Sequence, residues 1–244
     1  MNINIFKTEE EVLDGLATYF VATASQSIAA NGRFSVVLSG GSSPKKLYEI
    51  LASTYKNEVE WAKVDFFFGD ERYVPQTDAQ SNFLMAKKAI FEPLNIAATQ
   101  IFAVDTTPAP DVAAAQYALD ITTYFGDKPL SFDLVLLGLG DNSHTASLFP
   151  YTPVLHDDSV SVKAVFLKDQ DVYRITFTAP LINHAHNIAY LVYGQGKAIA
   201  VHHVIEDKRD IENYPAQLIA PTAGSLQWFV DEAAASKLTT AALK

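Results

Sequence analysis

The sequence predicts an α/β fold built around a parallel sheet, and three features support this class. Short, continuous apolar runs, such as the one that begins at Leu134 and is bounded by Gly138 and Gly140, are typical of strands buried on both faces of a sheet. Segments with helical periodicity separate these runs, and glycine-rich turns follow several of them. The 244 residues are 49% apolar and 19% charged, which is enough for one packed domain over residues 1–244.

Composition restricts the possible functions. The net charge of −10 argues against a nucleic-acid partner, because neutralising a phosphate polymer requires a basic surface. The chain has no cysteine, which excludes disulfides, thiol nucleophiles and thiolate metal sites. It has no apolar run of about 18 residues, and its N-terminus lacks the basic and then apolar plan of a signal peptide. We therefore expect a soluble, cytoplasmic protein with no membrane partner.

The first half of the chain is predicted to alternate strands and helices. Thr8 followed three residues later by Glu11 is a capping box that opens a helix, and Asn31-Gly32 ends it. Ser81-Asn82 opens a later helix. The predicted elements are strand 2–6, helix 9–30, strand 34–38, helix 45–54, strand 64–68, helix 81–91, strand 99–104 and helix 111–124.

The second half continues the same alternation. After the apolar run at Leu134, residues 160–167 and 173–178 are predicted to be strands, and Arg174 and Thr176 then share one strand face. Arg174 on an otherwise apolar strand requires an anionic partner. The remaining predicted elements are strand 186–193, helix 198–205, strand 226–230 and a helix from about residue 231.

The turn at residues 39–44, Ser-Gly-Gly-Ser-Ser-Pro, is a candidate phosphate site. Gly40 and Gly41 let the backbone approach a ligand closely, and Ser42 and Ser43 add hydroxyl donors at the start of a helix. The turn lacks the Lys-Ser/Thr ending of a nucleotide P-loop and is not G-x-G-x-x-G, so an NTPase or a dinucleotide enzyme is not favoured. Glycine-serine turns after strands are common, so this signal is weak alone.

Polar side chains follow three other predicted strands. Asp70 and Arg72 lie in a turn at the end of a predicted strand. Asp70 offers a carboxylate for proton transfer or orientation, and Arg72 offers a guanidinium that can bind an oxyanion. The alternative is a solvated turn with local ion pairs. His144 follows a glycine turn, and Lys197 lies in the first turn of a helix, where a cation is unfavourable unless an anion binds there. Because the carboxyl ends of parallel strands meet at one edge, these side chains and Arg174 predict a site for a small phosphorylated molecule.

A metal site is a weaker interpretation of the histidines. His184 and His186 would project from one strand face, but no third ligand is evident. His202 and His203 are adjacent on a helix and point apart. We interpret these four histidines as structural or exposed.

The chain resembles the 6-phosphogluconolactonase family, which is similar in fold to glucosamine-6-phosphate deaminases. The resemblance is carried by LSGGSSPKKLYEIL, FFFGDERYVPQTDAQSN, DLVLLGLGDNSHTASLFP, YRITFT and GQGKA, which occur in the family's order. It implies a three-layer α/β/α sandwich with a Rossmann-like, mainly parallel sheet and no metal or organic cofactor. It also implies hydrolysis of 6-phospho-D-glucono-1,5-lactone to 6-phospho-D-gluconate in the oxidative pentose phosphate pathway.

Two positions separate the lactonase from the deaminase, and two others depart from the lactonase pattern. Arg72 stands where deaminases typically have tyrosine, and Phe149 stands where they have their catalytic glutamate. Asn142 and Ser143 replace the usual Asp-Gly before His144, and Asn142 cannot accept a proton as a carboxylate would. Asp141 is one residue away, but its side chain is expected to point elsewhere. A glucosamine-6-phosphate deaminase or isomerase and a non-catalytic sugar-phosphate-binding protein remain the alternatives.

The resulting hypothesis assigns a role to each candidate residue. His144 is the general base, Asp70 orients His144 or the attacking water, and Arg72 stabilises the oxyanion. The phosphate is held by the turn of Gly40, Gly41, Ser42 and Ser43, with Arg174 and Lys197 supplying charge. The expected partner is a small phosphorylated sugar lactone, and the expected state is a monomer or a small homo-oligomer.

Overall fold

A computed structural model describes residues 1–239, and its centre is a six-stranded, all-parallel sheet. The strands are β1 (Asn2–Phe6), β2 (Phe34–Leu38), β3 (Val64–Phe68), β4 (Asp70–Arg72), β5 (Leu134–Leu137), β6 (Val162–Leu167), β7 (Val172–Phe177), β8 (Asn187–Val192) and β9 (Ser225–Asp231). The strand order of the large sheet is β1-β9-β8-β5-β2-β3, and β4, β7 and β6 form a second, antiparallel sheet.

Helices cover both faces of the large sheet, as the three-layer prediction requires. They are α1 (Glu9–Asn31), α2 (Ser42–Ser53), α3 (Asn82–Ala86), α4 (Glu92–Leu94), α5 (Pro110–Phe125), α6 (Ala179–Asn183), α7 (Ala198–Ile205) and α8 (Glu232–Ala235). The first helix has the predicted ends: the Thr8 hydroxyl accepts a hydrogen bond from the Glu11 amide at 3.2 Å, and Gly32 closes the helix at φ 79°. No helix within residues 1–239 is long and apolar enough to cross a membrane.

Two apolar cores lie on the two faces of the sheet, because successive side chains of a strand point in opposite directions. On β2, Val36 and Leu38 pack with α1 and α2, whereas Val37 packs with α5. Along β5, Leu134 and Leu136 face the first core and Val135 and Leu137 face the second. Strands buried on both faces explain why these segments read as continuous apolar runs.

The second sheet corrects the prediction for the segment after β3. Residues 70–72 were expected to form a turn, but they form β4, which pairs with β7 in the register Asp70 to Thr176 and Arg72 to Arg174. This pairing depends on a strand about a hundred residues further along the chain, so local sequence does not reveal it.

Three other element predictions need correction. Residues 99–104 do not form a strand: Ala98–Gln100 is a 3₁₀ turn, and Ile101 makes a single bridge to Phe66 at the sheet edge. The helix expected over 81–91 has a π-helical turn at Lys87–Phe91 between α3 and α4. The helix expected from residue 45 begins at Ser42.

Chain reversal places the ligand-binding edge between β2 and β5. From β2 the chain moves outward to β3, then returns to add β5, β8 and β9 on the other side of β2. Ligands in open α/β sheets bind at such a switch point, outside the carboxyl ends of the strands. The turns after β2, β5 and β8 all lie at that edge.

Candidate active site

An open cleft of about 240 Å³ lies at the carboxyl ends of β2, β5 and β8. All of the predicted site residues line it: the turn of Gly40, Gly41, Ser42 and Ser43, the cations Arg72, Arg174 and Lys197, and Asp70 and His144. The structure therefore brings together side chains from both sheets and from two helix starts.

The turn after β2 presents a helix N-terminus to this cleft. Gly41 is the N-cap of α2 at φ 111°, a conformation that favours glycine, and no side chain within residues 1–239 caps it. Tyr48 holds the start of the turn, because its hydroxyl accepts from the Ser39 amide at 2.9 Å and donates to the Ser39 carbonyl at 2.8 Å. The α2 amides and the two serine hydroxyls are therefore available to an anion.

Gly40 has a different role from its neighbour. A Cβ atom at this position would lie 2.0 Å from Oδ1 of Asn82, so the missing side chain makes room for Asn82. The Asn82 amide group donates to the Asp70 carbonyl at 2.9 Å, and thereby holds β4 against the turn. Gly40 lines the cleft as predicted, and its structural contribution is space for this contact.

The two acids of β4 point to opposite sides. Asp70 faces the cleft, where the Ser147 hydroxyl donates to its Oδ2 atom at 2.7 Å. Glu71 faces away and accepts from the Asn82 and Phe83 amides at 2.7 and 2.8 Å, at the start of α3. Burial raises the pKa of Glu71 although these amides oppose the shift. Asp70 is thus the acid of the pair that a ligand can reach, and Glu71 is structural.

Arg72 and Arg174 are cross-strand neighbours that line the cleft together. Arg72 donates to the Gln80 carbonyl at 2.9 Å, and Arg174 donates to the Gln170 side chain at 3.3 Å. Within residues 1–239 neither guanidinium has an ion-pair partner, and both Nε atoms are buried without a hydrogen bond. Burial, followed by the charge of Arg72, lowers the pKa of Arg174. Two like charges placed side by side are unfavourable, so this pair is suited to an anionic ligand.

Lys197 also lines the cleft and follows the glycine turn after β8. It occupies the N-cap position of α7, and its Nζ atom lies 2.6 Å from Oδ1 of Asp141. Asp141 therefore bonds Lys197, whereas the His144 ring is bonded to Asn142, so the Asp141 side chain points elsewhere as expected. An anion that binds Lys197 must compete with this exposed carboxylate.

His144 is held at the centre of the cleft by three contacts. Its ring stacks on Phe149 with centroids 3.9 Å apart, and its Nδ1 atom lies 2.5 Å from Oδ1 of Asn142. Gly140 lies against the ring, because a Cβ there would approach Nδ1 to 2.0 Å. Burial lowers the pKa of His144 to about 4, although the Asp70 charge opposes the shift. The imidazole is therefore neutral at physiological pH and can accept a proton.

The expectation that Asp70 orients the His144 ring is not supported by the contacts. The Asp70 carboxylate is bonded to Ser147 and approached by Asn82 at 3.4 Å, whereas the ring is bonded to Asn142. The physical reason is that Asp70 lies on β4, where the hydroxyl of Ser147 occupies its Oδ2 atom. The electrostatic effect of Asp70 on His144 remains.

The loop that carries His144 is conformationally strained. Ser143, Ala146 and Tyr151 adopt φ values of 62°, 46° and 59°, in the left-handed region that non-glycine residues avoid. The Ser143 amide donates to the Gly140 carbonyl at 2.9 Å, and its carbonyl accepts from the Ala216 amide at 2.9 Å. The resembled pattern has glycine at this position, and Ser143 adopts the left-handed conformation at a conformational cost.

Sequence reasoning missed several supports of the site. Asn82 and Ser147 hold Asp70, and Phe149 and Asn142 hold His144. Three of these supports could have been found from the sequence, because they lie within eight residues of His144: Asn142, Ser147 and Phe149. Asn82 had no comparable signal, since it was identified as the start of a helix.

The remaining histidines lie outside the cleft. His184 and His186 are exposed in the turn between α6 and β8, so the prediction that they project from one strand face is wrong. His202 and His203 lie on α7 and pair with Glu206 and Asp207. Among the described residues, no group of three or more His, Asp or Glu side chains is placed to hold a metal ion.

Comparison with known proteins gives consistent matches over most of the chain. A sequence model described as glucosamine-6-phosphate isomerases/6-phosphogluconolactonase matches residues 7–228. A 6-phosphogluconolactonase of Nostoc sp. is 41% identical over 87% of this chain and 88% of that protein. A probable chloroplastic 6-phosphogluconolactonase of Oryza sativa subsp. indica is 36% identical over 97% of this chain and 76% of that protein. The solved structure of 6-phosphogluconolactonase from Trypanosoma cruzi superimposes with a TM-score of 0.87 at 27% identity, over 98% of this chain and 97% of that one.

Proposed function

The chain belongs to the family of glucosamine-6-phosphate isomerases and 6-phosphogluconolactonases, and we propose that it is a 6-phosphogluconolactonase. In this reaction 6-phospho-D-glucono-1,5-lactone and water give 6-phospho-D-gluconate, a step of the oxidative pentose phosphate pathway. The observation that carries the proposal is a neutral, stacked histidine in a cleft whose other functional groups favour a phosphorylated anion.

We infer that the phosphate binds at the N-terminus of α2. Amides of Gly41, Ser42 and Ser43 and the two hydroxyls supply donors, and the helix dipole favours negative charge. Arg174 and Lys197, which also line the cleft, supply positive charge. Arg174 is supported in this role by its buried Nε atom, which has no partner among the described residues.

The lactone ring then extends toward His144. Water attacks the C1 carbonyl, and Nε2 of His144 removes a proton from that water as the new C–O bond forms. The tetrahedral intermediate collapses by breaking the bond between C1 and the ring oxygen, and the histidine returns the proton to that oxygen. The product is an open-chain carboxylic acid, which ionises at neutral pH.

Arg72 and Asp70 act on the charges that develop during this sequence. Arg72 stabilises the oxyanion and then the product carboxylate, and its place on the cleft-facing side of β4 supports this role. Asp70 favours the transient imidazolium through its charge and can orient the water, because its carboxylate lines the same cleft.

A deaminase reaction is not favoured by the residues around His144. The position that the resemblance assigns to a deaminase glutamate is Phe149, and its ring stacks on the imidazole at 3.9 Å. Among the described residues, Asp70 is the carboxylate that lines the cleft. A phenyl ring cannot move a proton, so a ring-opening relay through this position is absent.

The proposal is tested by measuring the rate of 6-phosphogluconolactone loss with and without the protein, with the lactone generated in situ because it also hydrolyses unaided. A large protein-dependent acceleration that His144→Gln lowers by roughly 10²- to 10⁴-fold is expected. Release of ammonia from glucosamine 6-phosphate would instead establish a deaminase. Phosphate-dependent binding without turnover of either compound would establish a sensor.

Four expectations from the sequence stay predictions. The cytoplasmic location stays a prediction, since the similar Oryza protein is described as chloroplastic. The monomeric or small homo-oligomeric state, the single domain over residues 1–244 and the absence of a cofactor stay predictions as well.

A further inference from the structure

We propose that Asn142 is a positioning residue that fixes His144 in the tautomer with the proton on Nδ1, and that it does so without placing a charge beside the ring. The inference rests on the proposed lactonase function for its kinetic consequences, but not for the tautomer itself. It concerns one of the two positions at which this chain departs from the Asp-Gly-His pattern it resembles.

The hydrogen bond determines the tautomer. Oδ1 of Asn142 lies 2.5 Å from Nδ1 of His144 and also accepts from the His144 backbone amide at 3.4 Å. The second contact orients the Asn142 amide group, because only its oxygen can accept from a backbone N–H. An amide oxygen cannot donate, so Nδ1 must carry the proton. The lone pair is then on Nε2, the atom that must take the proton from water.

The surroundings leave the ring little freedom to choose another partner. Phe149 stacks on one face, and Gly140 lies so close that only the absence of a Cβ allows the ring to occupy its place. Ser143, between the asparagine and the histidine, is held in a left-handed conformation by hydrogen bonds at both its amide and its carbonyl. This turn brings the asparagine side chain back onto the ring.

A neutral partner has a consequence that a carboxylate would not have. A carboxylate beside Nδ1 stabilises the imidazolium and raises its pKa, whereas an amide oxygen contributes only a dipole. The charges that act on His144 are those of Asp70 and Asp141, which favour protonation, and those of Lys197 and Arg174, which oppose it. Burial is the largest cause and acts in the same direction as the two cations, so the pKa of His144 is lowered to about 4. The base is therefore ready to act in mildly acidic as well as neutral solution.

The tautomer can be measured directly on the full-length wild-type protein. In protein labelled with ¹⁵N-histidine, the ring nitrogens of His144 are identified by the signals that His144→Gln removes from the six histidines. We expect a protonated Nδ1 and an unprotonated Nε2 at pH 7. A predominant Nε2–H tautomer would overturn the inference, whether or not the protein is a lactonase.

The kinetic arm uses two substitutions at the same position. Asn142→Asp keeps the shape and adds a charge, so the acid limb of kcat/KM should move from about 4 toward the ordinary histidine value of about 6.5. Between pH 7 and pH 5 kcat/KM should then fall by more than about 10-fold in the variant and by less than about 2-fold in the wild type. Asn142→Ala removes the hydrogen-bond acceptor for Nδ1, so kcat should fall at least about 10-fold. The upper limit is the roughly 10⁴-fold loss of kcat that a wrong histidine tautomer causes in a catalytic triad.

Controls separate the possible failures. Asn31→Asp and Asn31→Ala make the same changes at an exposed side chain at the end of α1, and they should leave the pH profile unchanged. An Asn142→Asp profile that coincides with wild type would refute the role of the neutral partner. If Asn142→Ala fails to fold, the NMR signals of the wild type still decide the tautomer. Absence of lactonase activity in the wild type would refute the proposed function and leave that result standing.

Discussion

Replacing Gly140 by alanine should displace the His144 imidazole and remove most of the catalytic rate while leaving substrate binding intact. A Cβ atom at Gly140 would lie 2.0 Å from Nδ1 and 2.1 Å from Cε1 of His144. Gly140 does not have a positive φ, so alanine fits the backbone conformation and the effect must come from the collision.

The geometry sets the size of the effect. Non-bonded heavy atoms normally remain about 3.5 Å apart, so the ring must retreat by about 1.5 Å. Phe149 is stacked on it and Asn142 is bonded to it, so any retreat breaks at least one of these contacts. A displacement of about 1 Å in a catalytic group can cost about 10²-fold in rate. We expect kcat to fall by about 10²- to 10³-fold, and KM to change by less than about threefold.

The assay is the steady-state hydrolysis of 6-phosphogluconolactone, with urea unfolding to establish that the variant is folded. Gly196→Ala is the matched control in the turn after β8, because a Cβ there meets no heavy atom within 4 Å and φ is not positive. It should retain wild-type kcat and KM. If folded Gly140→Ala kept kcat within threefold of wild type, His144 in this position would not be the base.

Four further outcomes are expected. Arg174→Ala should raise KM by roughly 10- to 100-fold with little change in kcat, because a charge-assisted hydrogen bond contributes about 1.5–3 kcal/mol. An unchanged KM would show that Arg174 does not bind the phosphate. Asp141→Asn should lower KM by up to about fivefold by freeing Lys197 from an exposed ion pair, and an increase in KM would contradict this competition. Glu71→Ala should lower the free energy of unfolding in urea by about 2–4 kcal/mol, since buried amides lose their acceptor. A decrease below about 0.5 kcal/mol would contradict the structural role of Glu71. Acidification from pH 7 to pH 4 should destabilise wild type by about 3 kcal/mol more than His144→Gln, because the pKa of His144 is lower in the folded protein and the unfolded state binds more of a proton in this range. An equal pH dependence of the two proteins would refute the lowered pKa of His144.

Local sequence was sufficient where the determining interactions are local. The capping box at Thr8 predicted the start of α1, and α7 spans Ala198–Ile205 as expected from its periodicity. Strands that are buried on both faces were recognised because most of their residues are apolar, as in β2, β3 and β5. The prediction failed at the sheet edge, where the segment around Ile101 makes only a single bridge.

The sequence also predicted that the site residues lie together at one edge of the sheet. Parallel strands end on the same side, so the glycine turns after β2, β5 and β8 had to converge. The residue types in those turns then indicated a phosphate and a base. None of this required knowledge of a contact between distant residues.

The sequence by itself thus determined the fold class, the positions of most elements and the edge at which the site lies, because periodicity, caps and parallel strand direction are local or topological properties. Only the tertiary structure decided what each polar side chain does there. Asp70 bonds Ser147, which is 77 residues away, and Lys197 bonds Asp141, which is 56 residues away. Such pairings depend on strand register and on the packing of loops. The neighbouring acids Asp70 and Glu71 are therefore alike in the sequence, yet Asp70 faces the cleft and Glu71 faces the start of a helix.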